Sequence, residues 1–160
     1  MTCGVRMLNY DIHVLQESDM EELQEFEKKK LEASVPEEVE RQLLSWSAKW
    51  RPESMQHYLP LGWSFVVRDL QTQKILGYFL AQALLFMDGQ TQSLWVEHVQ
   101  CVDKKIFQVL IEVATKTARE KHFQKVYFKN ESSVKELGPI PKSSLWNPDV
   151  FQVFTTKVNV

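Results

Sequence analysis

Two titratable side chains, Glu97 and His98, lie side by side in the otherwise uncharged, mostly apolar segment Ser93 to Val102. Carboxylates and imidazoles are the groups that most often move protons in enzymes, so both are candidates for acid or base catalysis. Each also has an ordinary explanation: Glu97 as an exposed-face residue of a strand, and His98 as a satisfied or solvent-facing histidine. Strict strand alternation places them on opposite faces, so only one of them would face a shared pocket.

Two cations, Lys104 and Lys105, follow Asp103 in the first turn of a predicted helix. Each opposes the helix dipole by about 0.3–1 kcal/mol. Either they meet a phosphate, or they are solvated lysines whose unfavourable dipole interaction is tolerated. Asp103 suits the N-cap of that helix, and as an anion it would repel a phosphate at the same place.

Glycine is scarce in this chain. There are five glycines in 160 residues, where average usage would give about eleven, and the closest pair, Gly77 and Gly89, lies 12 positions apart. Phosphate loops, dinucleotide fingerprints and kinase loops all need clustered glycines, so these classes are excluded. Cys101 is interpreted as a buried strand residue, because no Cys-His-Asp or Cys-His-Asn set is recognisable.

The composition excludes further classes of protein. The two cysteines, Cys3 and Cys101, have no zinc spacing, so no metal site is expected and a reducing, cytoplasmic compartment fits. The longest uncharged apolar stretch, Ile75 to Met87, has 13 residues, short of the roughly 18–20 that cross a bilayer. The net charge of −2 and the absence of a basic stripe among the tryptophans argue against nucleic acid and against a membrane surface.

The first half of the chain predicts a strand, two helices and a loose stretch within a single domain of residues 1–160. A capping box at Ser18 to Glu21 and a second start signal at Ser34 open the two helices. The expected bounds are strand 10–15, a helix from 20 to about 31, a helix from about 34 to 51, and a loose stretch to 60. Residues 17–41 hold ten acids against four bases, which indicates a solvated helical face.

The second half predicts a three-strand meander, a buried helix and two further strands. Apolar residues recur at helical spacing from Phe107 to Ala118. The expected bounds are strands 63–69, 74–87 and 93–102, a helix at 104–122, a strand at 125–128, one or two helical turns at 131–137, a loop at 138–148 and a strand at 150–158.

This order, β-α-α-β-β-β-α-β-(α)-β over about 150 residues, resembles the GNAT superfamily of acyl-CoA N-acyltransferases. The segment IHVLQESDMEEL from Ile12 is similar to the family's first strand and helix entry. The segment WSFVVRDLQTQKILGYFLA from Trp63 is similar to its second hairpin, with Gly77 at a common glycine position. The segment VLIEVA from Val109 occupies the place of the helix after the cofactor loop, and Asn130 stands where the family often has an asparagine near the cofactor.

The resemblance implies an α+β (mixed α/β) fold with a mostly antiparallel mixed sheet of about six to seven strands and helices on both faces. It implies N-acetyl transfer from acetyl-CoA or a related acyl-CoA to a small-molecule or peptide amine, and a homodimer is a further expectation. The acidic run at residues 17–40 would attract a cationic amine.

Amide formation needs a base, donors for an oxyanion and an acid for the thiolate. In the family a glutamate of the fourth strand serves as base, directly or through water, so Glu97 is predicted as the base and His98 is the other catalytic candidate. A bulge and strand splay are usual there, so alternation does not decide between them. The residues implied to bind the cofactor are Val99, Gln100, Cys101, Lys104, Lys105 and Asn130.

The chain departs from the family at residues 102–107 (VDKKIF), where a Q/R-x-x-G-x-G/A loop normally holds the pyrophosphate with backbone N–H groups. Phe107 falls roughly where a glycine would lie. No tyrosine follows Tyr127, so the usual thiolate acid has no counterpart. These departures favour the alternative, a catalytically inactive GNAT-fold binding or interaction module that has lost normal CoA binding.

Overall fold

A seven-stranded mixed sheet forms the centre of the protein, in a computed structural model that describes residues 9–155. The strand order is β1-β2-β3-β4-β5-β7-β6. The strands are β1 (Tyr10–Val14), β2 (Phe65–Asp69), β3 (Ile75–Leu85), β4 (Gln92–Cys101), β5 (Lys125–Lys129), β6 (Ser144–Asn147) and β7 (Val150–Phe154).

Five α-helices and three short 3-10 turns connect the strands. The helices are α1 (Met20–Ser34), α2 (Glu38–Trp46), α3 (Pro52–Tyr58), α4 (Lys104–Glu120) and α5 (Ser132–Leu137). The 3-10 turns span Glu17–Asp19, Leu59–Leu61 and Met87–Gly89.

Every strand pair is antiparallel except β4 and β5, which run parallel and are joined through α4. The parallel pairing covers only Ser93–Val96 of β4 against Lys125–Phe128 of β5. Beyond Val96 the two strands separate. The far half of β4 therefore presents one backbone edge to an opening in the sheet, which we call the splay.

Two buried clusters lie on opposite faces of the sheet. The larger contains the apolar face of α4, including Phe107 and Leu110, packed on inward side chains of the strands. The smaller contains Leu23 of α1 and Met55 of α3, packed on the opposite face against Tyr78. Helices on both faces and a mostly antiparallel mixed sheet confirm the predicted fold class.

Salt bridges connect the N-terminus of α1 to the sheet. Arg68 of β2 is buried, and its guanidinium contacts Asp19 at 2.9 Å and Glu22 at 2.5 Å. The expected capping box from Ser18 to Glu21 is wrong, because the backbone N–H of Gln16 donates instead to Asp19 at 2.9 Å.

Three elements differ from the sequence expectation. The loose stretch before Pro60 contains α3, which begins at Pro52, where a missing N–H is tolerated, and buries Met55. The expected loop at 138–148 contains β6, an edge strand whose largely exposed residues give no alternating pattern. The second predicted helix is shorter than expected, since α2 begins at Glu38 and ends at Trp46. Cys3 and the end of the predicted last strand lie outside the described residues.

Gly77 lies where β3 and α4 come closest. A Cβ built on it would lie 2.7 Å from Cys101 Cβ, 2.8 Å from Ile106 Cγ2 and 3.0 Å from the Gln100 carbonyl oxygen. A side chain at this position would force the start of α4 away from the sheet.

We expect Gly77→Ala to destabilise the protein by about 1–3 kcal/mol, because overpacking of a well-packed core has that effect. At this chain length each kcal/mol lowers Tm by about 2–4 °C, which calorimetry resolves. Gly89→Asn is the matched control, since Gly89 has open space around it and a φ of +72° that asparagine tolerates. Equal Tm values for the two variants would contradict the steric argument.

Candidate functional site

A β-bulge in the middle of β4 sets the orientation of both predicted catalytic residues. Leu80 of β3 is opposite His98, and Ala81 is opposite Val96, so Glu97 is the extra residue on β4. The bulge breaks strict alternation. Glu97 reaches Lys49, beside α3, and His98 reaches Glu27 of α1, so both side chains lie on the same face of the sheet.

The carboxylate of Glu97 is held by three donors. Lys49 Nζ lies 2.7 Å from Oε1, Lys129 Nζ lies 3.1 Å from it, and the Trp95 indole N–H donates to Oε2 at 2.6 Å. Burial raises the pKa of Glu97, but these hydrogen bonds outweigh burial and hold the pKa below its ordinary value. An ionised carboxylate with three donors is a weak proton acceptor at neutral pH. The base role of Glu97 stays a prediction.

His98 lies between two carboxylates. Its Nε2 is 2.7 Å from Glu27 Oε1, and its Nδ1 is 3.0 Å from Glu131 Oε1. Burial lowers the pKa of His98, but Glu131 and then Glu27 reverse this and raise it to about 10. At neutral pH the ring is therefore a cation that cannot accept a proton, so this geometry disfavours His98 as a base. The hydroxyl of Tyr78 also donates to Glu27, at 2.5 Å.

A cleft of about 450 Å³ opens beside these groups, between α1, β4 and α5. Its titratable lining includes the carboxylates of Glu27, Glu131 and Glu136 and the cations of His98 and Lys30. These five groups sum to one negative charge, and Trp50 and Leu31 add apolar surface. The cleft suits a small ligand that carries positive charge.

The splay between β4 and β5 is filled by side chains of this chain. The backbone N–H of Val99 donates to Glu131 Oε1 at 3.0 Å, and the hydroxyl of Ser133 donates to the Val99 carbonyl at 2.9 Å. The resemblance assigned this edge of Val99 to Cys101 to an acyl group and pantetheine. The amide groups of a pantetheine would have to displace both side chains to bind Val99.

The position expected for the pyrophosphate has a short, capped connection in place of a glycine-rich loop. Only Val102 and Asp103 connect β4 to α4. The side chain of Asp103 caps the helix by accepting the N–H of Ile106 at 2.9 Å, as the N-cap pattern predicted. Lys30 donates to the carbonyl of Cys101 at the end of β4. Phe107 is fully buried, so the backbone behind it is covered.

The remaining predicted cofactor residues are dispersed. Lys104 and Lys105 are exposed, and the Lys105 ammonium lies 5.8 Å from the ring centre of Tyr10. Asn130 uses its side-chain amide on the Pro148 carbonyl at 3.1 Å. Gln100 faces Glu27, with 3.5 Å between its amide nitrogen and the carboxylate. The structure thus brings His98, Gln100 and Cys101 together at the cleft and leaves Lys104 and Lys105 outside it.

The contributors that were not found from the sequence include Lys49, Lys129, Glu27, Glu131, Ser133 and Glu136. Glu27 is the only acid of α1 that is buried, and its position on the apolar stripe four residues after Leu23 was the available signal. Glu131 and Ser133 gave none, since they precede or start a six-residue helix. Within residues 9–155, no group of His, Cys, Asp or Glu side chains is arranged to hold a metal ion.

Comparison with known proteins defines the fold but no closer relationship. No sequence-family model matches this chain, and no curated protein matches it. Among solved structures it is similar to the PaiA N-acetyltransferase of Thermoplasma acidophilum in complex with coenzyme A, with a TM-score of 0.65, 13% identity, and 92% of this chain and 99% of that chain covered.

Two further structures agree. A GNAT-family acetyltransferase of Staphylococcus aureus has a TM-score of 0.62 at 14% identity, over 92% of this chain and 99% of that one. A polyamine N-acetyltransferase of Drosophila melanogaster has a TM-score of 0.57 at 15% identity, over 91% and 98%. The chain has the GNAT fold of acyl-CoA N-acyltransferases.

Coenzyme A does not fit this chain in the way the GNAT resemblance implied. The splay is occupied by Glu131 and Ser133, and the two-residue connection before α4 has none of the glycines of a pyrophosphate loop. The scaffold is retained while the backbone of Val99 and the N–H of Ile106 are bound by side chains of the chain itself. In the described part of the chain, no helix has the length and apolar character that crossing a bilayer requires.

We expect His98→Asn to flatten the pH dependence of stability between pH 6.5 and 10. Folding raises the pKa of His98 from 6.5 to about 10, so its stabilising contribution is complete below pH 6.5 and is lost as the pH rises through 10. Thermal unfolding at half-unit pH intervals measures this. The wild-type Tm should fall more steeply across the window than the variant's.

His122→Asn is the control for this experiment, because His122 is exposed and has a φ of 60° that asparagine adopts. Its pH profile should follow that of the wild type. If the Tm of His98→Asn shows the same pH dependence as that of the wild type, Glu27 and Glu131 do not raise the pKa of His98 as described.

Proposed function

We propose that this chain is a GNAT-fold binding protein that takes a small cationic amine in the cleft beside β4 and does not use acyl-CoA as a donor. The observation that carries the proposal is the pair of side chains on Val99, where Glu131 and Ser133 satisfy the backbone N–H and C=O. A buried backbone group that is already paired gains little from a ligand, and displacing Glu131 would also remove one partner of the His98 cation.

The charge of the cleft supports an amine as the ligand. Three carboxylates line the cleft against two cations, and His98 is paired with two of those carboxylates, Glu27 and Glu131, while Lys30 donates to the Cys101 carbonyl. The third carboxylate, that of Glu136, is therefore the one that would attract the ligand. Glu136 is exposed at the end of the cleft, where it is accessible to an incoming ammonium group. A further support is that one of the similar structures is that of a polyamine N-acetyltransferase, an enzyme that forms N-acetylagmatine.

Coenzyme A and acetyl-CoA at about 1 mM should leave the Tm unchanged within 1 °C. A ligand present at about 100 times its Kd would add around 2.7 kcal/mol, or several degrees at this chain length. Differential scanning fluorimetry measures the shift, with the sodium salt of ATP at the same concentration as the control for nonspecific anion binding. A shift with CoA that ATP does not reproduce would overturn the proposal that CoA is not a ligand.

Spermidine and agmatine should bind, with an affinity that falls as salt is raised, since the attraction is between charges near the surface. Isothermal calorimetry at 50 and 500 mM NaCl measures this. Glu136→Gln should weaken binding about two- to fivefold, because an exposed ion pair contributes up to about 1 kcal/mol. Glu120→Gln, on α4, is the matched control and should bind as the wild type does. If both variants bind with equal affinity, Glu136 is not part of the binding site. If the wild type does not bind either amine, the proposal that the cleft takes a cationic amine is wrong.

A second function, N-acyl transfer from acyl-CoA, is favoured by the bulge at Glu97 and by the splay, both of which the resemblance associates with catalysis. It requires α5 to move so that Glu131 and Ser133 leave Val99. Acetylation of spermidine or agmatine, followed by mass spectrometry, tests it. If product forms, Glu97→Gln should retain CoA binding and lose turnover. Lys104, Lys105 and Asn130 as cofactor residues stay predictions of this second function.

A further inference from the structure

Helix α2 turns its apolar side toward solvent. Val39, Leu43 and Trp46 recur at i, i+4 and i+7, which places them along one face of the helix. They are 69%, 56% and 71% exposed, respectively. The opposite side of the helix carries Arg41 and Ser45, which are only half-buried. This distribution is the reverse of an ordinary surface helix.

The contacts of α2 with its own chain are few. None of its nine residues, all of which the structure describes, is buried. A cavity of about 560 Å³ lies beside Ser45 and Trp46, and one of about 330 Å³ lies beside Arg41 and Ser45. Arg41 attaches its first turn by donating to the carbonyls of Val35 and Pro36 at 2.9 and 2.8 Å. Helices shorter than about 12 residues are marginal in water without packing, so an outer partner would supply what the core does not.

We propose that the outer face of α2 is a homodimer interface, in which α2 of one copy packs antiparallel on α2 of a second copy about a two-fold axis. In that arrangement Leu43 lies near the axis, and Val39 of each copy lies opposite Trp46 of the other. The stripe from Val39 to Trp46 is about 10 Å long, so the three contacts fit one pair of facing helices. The interface lies on the outer side of α2 and does not depend on what the cleft binds.

The charges around the stripe favour a second copy over a partner of one sign. Exposed acids, Glu37, Glu38 and Glu40, surround the N-terminal end of α2, and Arg51 donates to the Trp46 carbonyl at 3.2 Å at the C-terminal end. Antiparallel packing brings the acidic N-terminal end of α2 in each copy close to Arg51 of the other copy. The two-fold axis then creates two such pairs of opposite charge. A purely basic partner would leave Arg51 facing a like charge.

The area of the apolar stripe accounts for part of a weak dimer interface. Its three side chains, Val39, Leu43 and Trp46, present roughly 300–400 Å² per copy if a tryptophan contributes about 150–250 Å². Two copies would bury about 600–800 Å² of apolar surface, and the flanking charged residues would supply the rest of the roughly 1,000 Å² that a specific interface needs. The dimer should therefore be concentration-dependent.

Sedimentation equilibrium of the full chain from about 5 to 500 µM tests the interface. We expect a monomer–dimer equilibrium that Leu43→Glu shifts to monomer, raising Kd at least tenfold. At concentrations where both proteins are monomeric, their circular dichroism and Tm should agree, because Leu43 is exposed in the single chain. Leu145→Glu on the edge strand β6 is the matched control, since it puts the same charge on the other exposed surface available for pairing.

If Leu145→Glu dissociates the dimer and Leu43→Glu does not, the interface lies at β6 and the proposal is overturned. A chain that stays monomeric throughout would also overturn it, and would assign α2 to a lipid surface or to a different protein. The antiparallel arrangement has its own test. Glu38→Arg should raise Kd several-fold and the double variant Glu38→Arg, Arg51→Glu should restore it, whereas failure of the restoration would contradict the pairing of those two ends.

Discussion

The carboxylate of Glu131 is the point at which three parts of this fold meet. Its Oε1 lies 3.0 Å from Nδ1 of the His98 imidazolium and accepts the N–H of Val99. The other ring nitrogen of His98 contacts Glu27 on α1. The first helix, the centre of β4 and the residue before α5 are thus one electrostatic unit. Removing any member would leave a buried charge or a backbone N–H without compensation, and such losses are far larger than the net contribution of an intact pair.

Glycine is present where the packing of this fold requires it and absent where a cofactor loop would require it. Gly77 is retained where the backbone of β3 approaches Cys101 too closely for a side chain. The connection between β4 and α4 is two residues long and its helix end is capped by Asp103, so nothing there calls for glycine. A fold can therefore be kept by packing constraints after the contacts for a cofactor have changed, which is why fold and activity must be argued separately.

Periodic segments were predictable, and the contacts between them were not. The helical spacing from Phe107 to Ala118 and the apolar run of β3 predicted α4 and the central strands, because each buries a continuous face. The edge strand β6 and the short α3 bury too little for a pattern. The surroundings of His98 could not be foreseen, since Glu27 lies 71 residues away in sequence and the bulge at Glu97 is fixed only by register with β3.

The amide of Val99 differs from most amides of a central strand in one further respect. Most amides of a central strand are protected from exchange with water by another strand, and they open only when the sheet itself separates. The acceptor of the Val99 N–H is a side chain next to a six-residue helix, so its deuterium exchange follows the local opening of α5 rather than global unfolding. A single backbone proton in the middle of the sheet thereby records how often the cleft opens.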